Sequence, residues 1–385
     1  MRLFLILFLF TLLGSQNFTY SQQVADTAVY KFTNVKSLKA TSVKDQGKSG
    51  TCWCFSTISM IESELMRMGK GEQNLSEMFV VRHTYDGKAE RYIRMHGSNS
   101  FSEGAEFNDV MNSVKTYGIV PDSVYTGFRP NQTQIDHSEM GKVLKGYLDG
   151  LIKPKEQVLS DVWFKGFDNV LDVYLGTLPE KFSLNGKEYT PLSYEQKLGF
   201  SPDDYVLFTS FTHHPFYQKF ILEVPDNWSW GEYHNVPIDE LIEIIDNSLN
   251  QGYTVAWAAD VSEKGFSFKN GVAKVPDFNE KTASQADWDR ALTHPTAEKN
   301  ITQIMRQEQF DNFSTTDDHG MHITGLAKDQ NGNKFYYVKN SWGTKNPYNG
   351  YLYVSEAYIK LKTTSIMVNK NVIPKEIRNK FIDLK

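Results

Sequence analysis

Cysteine is nearly missing from this chain: 385 residues hold two, Cys52 and Cys54. Two cysteines so close together cannot form a disulfide framework, whatever the compartment. A strong charge of one sign is missing as well. Forty-one Lys and Arg stand against 46 Asp and Glu, for a net charge of −5. No basic field points to nucleic acid, which is excluded as a partner. Long apolar runs are also lacking. The run at Leu3 to Leu13 is about eleven residues, short of the roughly twenty that a membrane helix needs. No internal repeat or low-complexity segment is evident.

What is present suffices for a large core. The chain is 40% hydrophobic and 14% aromatic, enough for one big domain or two lobes. Met1-Arg2, the apolar run and the small-polar Gly14 to Ser21 read as a secretory signal peptide over residues 1–21. Thr19-Tyr20-Ser21 offers the cleavage site, and no Cys follows it to carry a lipid. The mature chain, 22–385, is expected to be exported and soluble, in a periplasm or outside the cell. An uncleaved interfacial anchor is the competing reading.

The most informative stretch is Gln46-Gly-Lys-Ser-Gly-Thr-Cys52-Trp53-Cys54-Phe55-Ser56. Phe55, Ile58, Ile61, Leu65 and Met68 recur at steps of three or four, which is one face of a helix, and Gly69 sits at its expected end. Cys52 is therefore expected at the first helical turn. The positive end of the helix dipole and the unpaired N–H groups there favour a thiolate, the nucleophilic form of the side chain. A buried structural Cys is the plainer alternative. Cys54 lies about 200° further round the helix, facing away, and is poorly placed to bridge to Cys52.

A second stretch can supply a base. Asp317-Asp318-His319-Gly320-Met321-His322 runs into an apolar strand, followed by Asn331-Gly332 and then Lys334-Phe-Tyr-Tyr-Val-Lys-Asn340-Ser-Trp342-Gly343. Asn-Gly is a strong hairpin signal. With those two residues as the loop, Asn340 opposes Ile323 and His322 opposes Ser341; one step of slip sets His322 opposite Asn340. Either register brings an imidazole and a carboxamide together. A thiol needs a His to take and return its proton, and the His needs an acceptor to orient it. His319 competes with His322 for that role, and Asp317, Asp318, His319 and His322 offer a weaker divalent-metal alternative. The adjacent pair His213-His214 is a still weaker metal candidate, without a Cys or carboxylate cluster nearby in sequence.

These segments resemble papain-like cysteine peptidases. The Gln six residues before a Cys-Trp pair and the Asn-Ser-Trp-Gly phrase carry the resemblance. Ser49 stands where the papain pattern has a disulfide Cys, as in the bleomycin hydrolase and aminopeptidase C branch. The resemblance implies an α+β papain-like two-lobe fold, with a helical lobe carrying Cys52 and a β-rich lobe carrying the His and Asn. It implies Cys52 as nucleophile and Gln46 with the Cys52 N–H as oxyanion hole. It selects His322, as the His that begins the strand, with Asn340 as its orienting partner and Trp342 covering their bond. Gly104 matches the branch's glycine beside the substrate backbone. Glu103 departs from that Gly-Gly pattern, so it either meets a substrate α-ammonium or starts a helix in solvent.

His322 follows Cys52 by 270 positions, while a plain papain-like domain needs about 130–150. An insertion is therefore expected over about 122–235, and in the related branch such an insertion is an oligomerisation hook. Within it, helices are expected at 142–152 and 154–173, a hairpin turning at Asn185-Gly186, and strands at 205–211 and 216–224. The branch also closes its cleft with a C-terminal tail, which restricts it to substrate N-termini. This chain stops sooner. The expected activity is peptide hydrolysis without cofactor or metal, aided by a reducing environment, as an aminopeptidase. An endopeptidase and a non-catalytic peptide-binding protein are the alternatives.

Overall fold

The computed structural model describes residues 29–153 and 158–384. The expected signal peptide lies outside the described residues. So do the first four residues of the helix expected at 154–173; residues 158–162 are described and not helical, and the helix runs Trp163–Leu175.

Helices gather in one lobe. Cys52–Arg67 is buried along Phe55, Ile58, Ile61 and Leu65, the spacing that predicts it. It ends where Gly69 takes φ 76° and the N–H of Lys70 reaches back to the carbonyl of Leu65. Glu77–Arg94 begins at Ser76, whose hydroxyl accepts from the N–H of Phe79. Phe107–Tyr117 follows, capped by Glu106. Phe79, Val110 and Trp53 of these helices share one core with Leu144, Phe167, Tyr189 and Leu198.

The first part of the expected insertion is therefore not a separate body. Its helices Ser138–Ile152, Trp163–Leu175 and Pro191–Leu198 and its hairpin, Phe182–Leu184 with Lys187–Tyr189, close the helical lobe. Asn185 and Gly186 both take positive φ in the hairpin turn. The remainder joins the other lobe. Tyr205–Thr209, Lys219–Ile221 and Glu232–Asn235 extend an eleven-stranded sheet.

The centre of that sheet is antiparallel, in the order Tyr205–Thr209, Thr363–Asn369, Val255–Ala259, His319–Lys328, Lys334–Lys339, Tyr351–Ser355. Strand alternation sorts the two faces. Val255 and Trp257 face a core shared with the helices Ile238–Asn250 and Glu356–Lys362, while Ala256 and Ala258 face the helical lobe. Small residues on that second face admit the Cys52 helix. Gly320 is the tightest point: a Cβ there would lie 2.9 Å from the Ser56 hydroxyl and 3.1 Å from the Trp53 Cα. The Cys52 helix is thus laid directly on the strand that carries His319 and His322.

Candidate active site

The hairpin differs from its expected register. Its loop spans Asp329 to Asn333, because Asp329 folds it: one carboxylate oxygen accepts from the N–H groups of Asn331 and Asn333. Lys328 therefore pairs with Lys334. A bulge between Ile323 and Gly325 shifts the register once more, and His322 faces Lys339 rather than Asn340 or Ser341. Opposite the other edge, residues 319–323 pair with 259–255 without interruption. Three unbroken steps separate the two histidines, so they point to opposite faces.

This corrects the expectation for His322. His322 is directed into the helix–sheet interface, where its Nδ1 lies 2.9 Å from the Ser59 hydroxyl. His319 is the residue beside Asn340, with its Nε2 2.7 Å from Asn340 Oδ1. The Asn340 orientation is settled by a second bond, since the N–H of Ser341 donates to the same Oδ1 at 2.7 Å. His319 must therefore donate from Nε2, which leaves Nδ1 as a proton acceptor. Trp342 covers the pair at 4.4 Å between ring centroids and is itself held by Phe266 and Phe268.

Cys52 is the first residue of its helix. It lines a cleft of about 280 Å³ together with Gln46, Gly104, His319 and Trp342. The backbone N–H groups of Gly320 and Trp53 favour its thiolate, but burial outweighs them and pushes the thiol up to about 12. Burial also pulls His319 down to about 4, against the opposing bond to Asn340. Each group alone is neutral near pH 7. Both line one cleft, and a proton passed from the thiol to His319 would create opposite charges together, each favouring the other. The helix N-terminus and Asn340 add to that compensation.

Gln46 is locked in the same wall. Its Oε1 accepts from the Ser341 hydroxyl at 2.6 Å, and its Nε2 donates to the Ser49 carbonyl at 2.7 Å. A primary amide carries two N–H groups, so one remains for an oxygen in the cleft. Cys54 faces the helical core and donates to the Glu77 carbonyl, away from Cys52.

Glu103 requires a correction as well. Its carboxylate accepts from the Gly50 N–H at 2.6 Å and lines a neighbouring cavity, not the one containing Cys52. Its carbonyl accepts from Trp53 Nε1. Glu103 thus braces the loop before Cys52. Gly104 does line the cleft. The buried ammonium of Lys88 holds its carbonyl from beneath, and a Cβ at this position would strike the Asp226 carboxylate.

Asp226 is a cleft residue that sequence reasoning missed. It enters from the 122–235 segment, accepts from Ser102 at 2.8 Å and donates its N–H to Asp317 at 3.0 Å. With Asp317 and the buried Glu106 it makes one side of the cleft acidic. Asp317 is half-buried; that burial, together with Asp226 and Asp318, pushes its carboxyl up to about 7. No pattern in the sequence marks Asp226.

The two metal readings separate. Asp318 is spent on Val261 and Ser262, and His322 lies across the sheet from His319, so that quartet does not converge. His213 and His214 do meet a carboxylate, Glu223, at 3.0 and 2.7 Å. Gln307 donates to His213 Nδ1 while its oxygen accepts from the Thr212 N–H. The His213 proton is thereby fixed on Nε2, aimed at Glu223, where a cation would need a lone pair.

Comparisons with known proteins bear on the same geometry. The Peptidase C1-like family matches residues 10–383. Bleomycin hydrolase of Rattus norvegicus is 23% identical over 405 residues, covering 91% of this chain and 85% of that protein. Aminopeptidase G of Lactobacillus delbrueckii subsp. lactis is 22% identical over 406 residues, covering 93% and 87%. The crystal structure of PepW from Lactobacillus rhamnosis shares the fold, with a TM-score of 0.70 over 90% of this chain and 84% of that one, at 19% identity. With nearly its whole length matched, the chain belongs to the Peptidase C1-like family and is a cysteine peptidase on the papain-like α+β fold.

Proposed function

We infer that the chain is an aminopeptidase-type cysteine peptidase whose machinery is Cys52, His319 and Asn340. The observation that carries this reading is the 2.7 Å bond from His319 to Asn340 at the mouth of the cleft that Cys52 lines. His319 Nδ1 takes the thiol proton, and the sulfur adds to the scissile carbonyl. The Cys52 N–H and the second N–H of Gln46 receive the oxyanion. The imidazolium returns its proton to the leaving amine as the C–N bond breaks, leaving a thioester. Water, deprotonated by His319, then releases the acid and the thiol. The chain's own residues supply every proton transfer in this scheme.

The relatives named aminopeptidase and bleomycin hydrolase support action at substrate N-termini. So does the acidic side of the cleft, where Asp226 and Asp317 stand next to Gly104 as partners for a free α-ammonium. The described C-terminal residues pack elsewhere: Asp383 bonds His234 at 3.1 Å and Lys219 at 3.1 Å, and among the described residues none beyond Trp342 lines the cleft. An open cleft would suit an endopeptidase equally, so the test compares matched peptides with free and acetylated N-termini under reducing conditions. Cleavage of the free peptides alone, lost in Cys52→Ala, is the expected result. Equal cleavage of acetylated peptides makes the enzyme an endopeptidase, and an inactive, unalkylated Cys52 makes it a binding protein.

No described helix is long and apolar enough to cross a membrane. Export rests on residues 1–21, and a mature chain whose N-terminal sequence begins at Gln22 is the expected product.

A further inference from the structure

Behind the cleft, on the opposite face of the same strand, lies a small polar cavity of about 20 Å³. His322, Asn340, Ser59, Lys339, Glu62 and Glu77 are among the residues around it. Two of them bring buried nitrogens without a protein partner among the described residues, His322 Nε2 and Asn340 Nδ2. Both are oriented by bonds on their other side. Asn340 Oδ1 is occupied by His319 and Ser341, which turns Nδ2 away from the cleft. Lys339 donates to Ser59 Oγ at 2.7 Å, so the Ser59 proton is left for His322 Nδ1. A neutral His322 then carries its own proton on Nε2.

Two buried N–H donors thus face one polar space. A buried donor left unsatisfied is costly, and the volume exceeds the roughly 10–15 Å³ that one water requires. Glu62 and Glu77, which also line it, bring carboxylate acceptors. We propose that a single water bound in this cavity accepts from His322 Nε2 and Asn340 Nδ2, making His322 a positioning residue for the His319 imidazole. The path runs Lys339, Ser59, His322, water, Asn340, His319. It reinforces the Ser341 bond in holding the rotation of the Asn340 amide, and hence the tautomer that His319 presents to Cys52. This inference rests on the Cys52–His319–Asn340 reading above.

Two polar substitutions separate the ends of the imidazole. In His322→Asn the amide reaches Ser59 but not the cavity, whereas in His322→Gln it reaches the cavity. The assays are kcat, KM, the rate of Cys52 alkylation by iodoacetamide at pH 7, and Tm. His322→Asn is expected to lower kcat about two- to tenfold, the worth of one hydrogen bond, and to slow alkylation in parallel at unchanged KM. His322→Gln is expected to recover most of both losses, and a high-resolution crystal structure to show the water within reach of both nitrogens. Wild-type kcat and alkylation in His322→Asn, with only Tm lowered, would overturn the proposal. Equal losses in both variants would overturn it too. Asn340→Ala separates the two layers of argument: if it leaves kcat intact, the catalytic reading itself fails; if it lowers kcat while His322→Asn does not, only the water linkage fails.

Discussion

The two faces of the His319–Lys328 strand do different work with the same residue type. On one face His319 lines the cleft, still paired with Ala259 on one edge but past the last pair with the Lys334–Lys339 strand on the other. On the other, His322 is sealed against the Cys52 helix beside Lys339. Burial depresses the pKa of both. Only His319 has a carboxamide to stabilise its imidazolium; the second cause acting on His322 is the nearby Lys339 cation, which opposes protonation. A histidine becomes a base by its partner, not by being buried.

The most direct way to break this comparison is to remove each histidine in turn. His319→Ala is expected to lower kcat/KM by about 10²–10⁴-fold, the usual worth of a general acid–base, whereas His322→Ala should cost far less. Steady-state kinetics on one peptide decides it, and the reverse order would return the base to His322. Gly320→Ala probes the contact between the two faces. Its Cβ must push the Cys52 helix off the strand, which is expected to cost about 1–3 kcal/mol, read as a lowered denaturation midpoint.

The acidic side of the cleft sharpens the comparison through pH. Asp317 is protonated below about 7, so its charge is lost as pH falls. KM for a free-N-terminus peptide should rise as pH drops from 8 to 6, while KM for an acetylated peptide stays level. Asp317→Asn should abolish that difference. The smallest effect concerns stability. A carboxyl raised from 3.8 makes the folded state bind more protons than the unfolded one between those values, so stability falls as pH rises through that window. Asp317→Asn should therefore raise Tm at pH 8 more than at pH 5, as calorimetry can check.

The nucleophile's helix was legible because its information is local: spacing at Phe55, Ile58, Ile61 and Leu65 and a glycine stop. The sheet-and-helix architecture followed from similar signals. The histidine beside Asn340 was misplaced because register is not local. Asp329 lengthened the loop and the bulge near Gly325 added another step, so arithmetic from Asn331-Gly332 missed by two at the strand end. Parity would have helped: His319 and His322 cannot share a face, and Gly320 and His322 lie together on the side where a helix must pack closely. Asp226 was beyond reach, since its place depends on how the 122–235 segment divides between the lobes.

Gln46 and Ser341, 295 positions apart, meet in a 2.6 Å hydrogen bond. During synthesis at about 5–20 residues per second, the thiol leaves the ribosome tens of seconds before its imidazole exists. On the proposed Cys52–His319–Asn340 machinery, a nascent chain carries the thiol without its partner, and activity is expected only once the strands through Lys339 have been added.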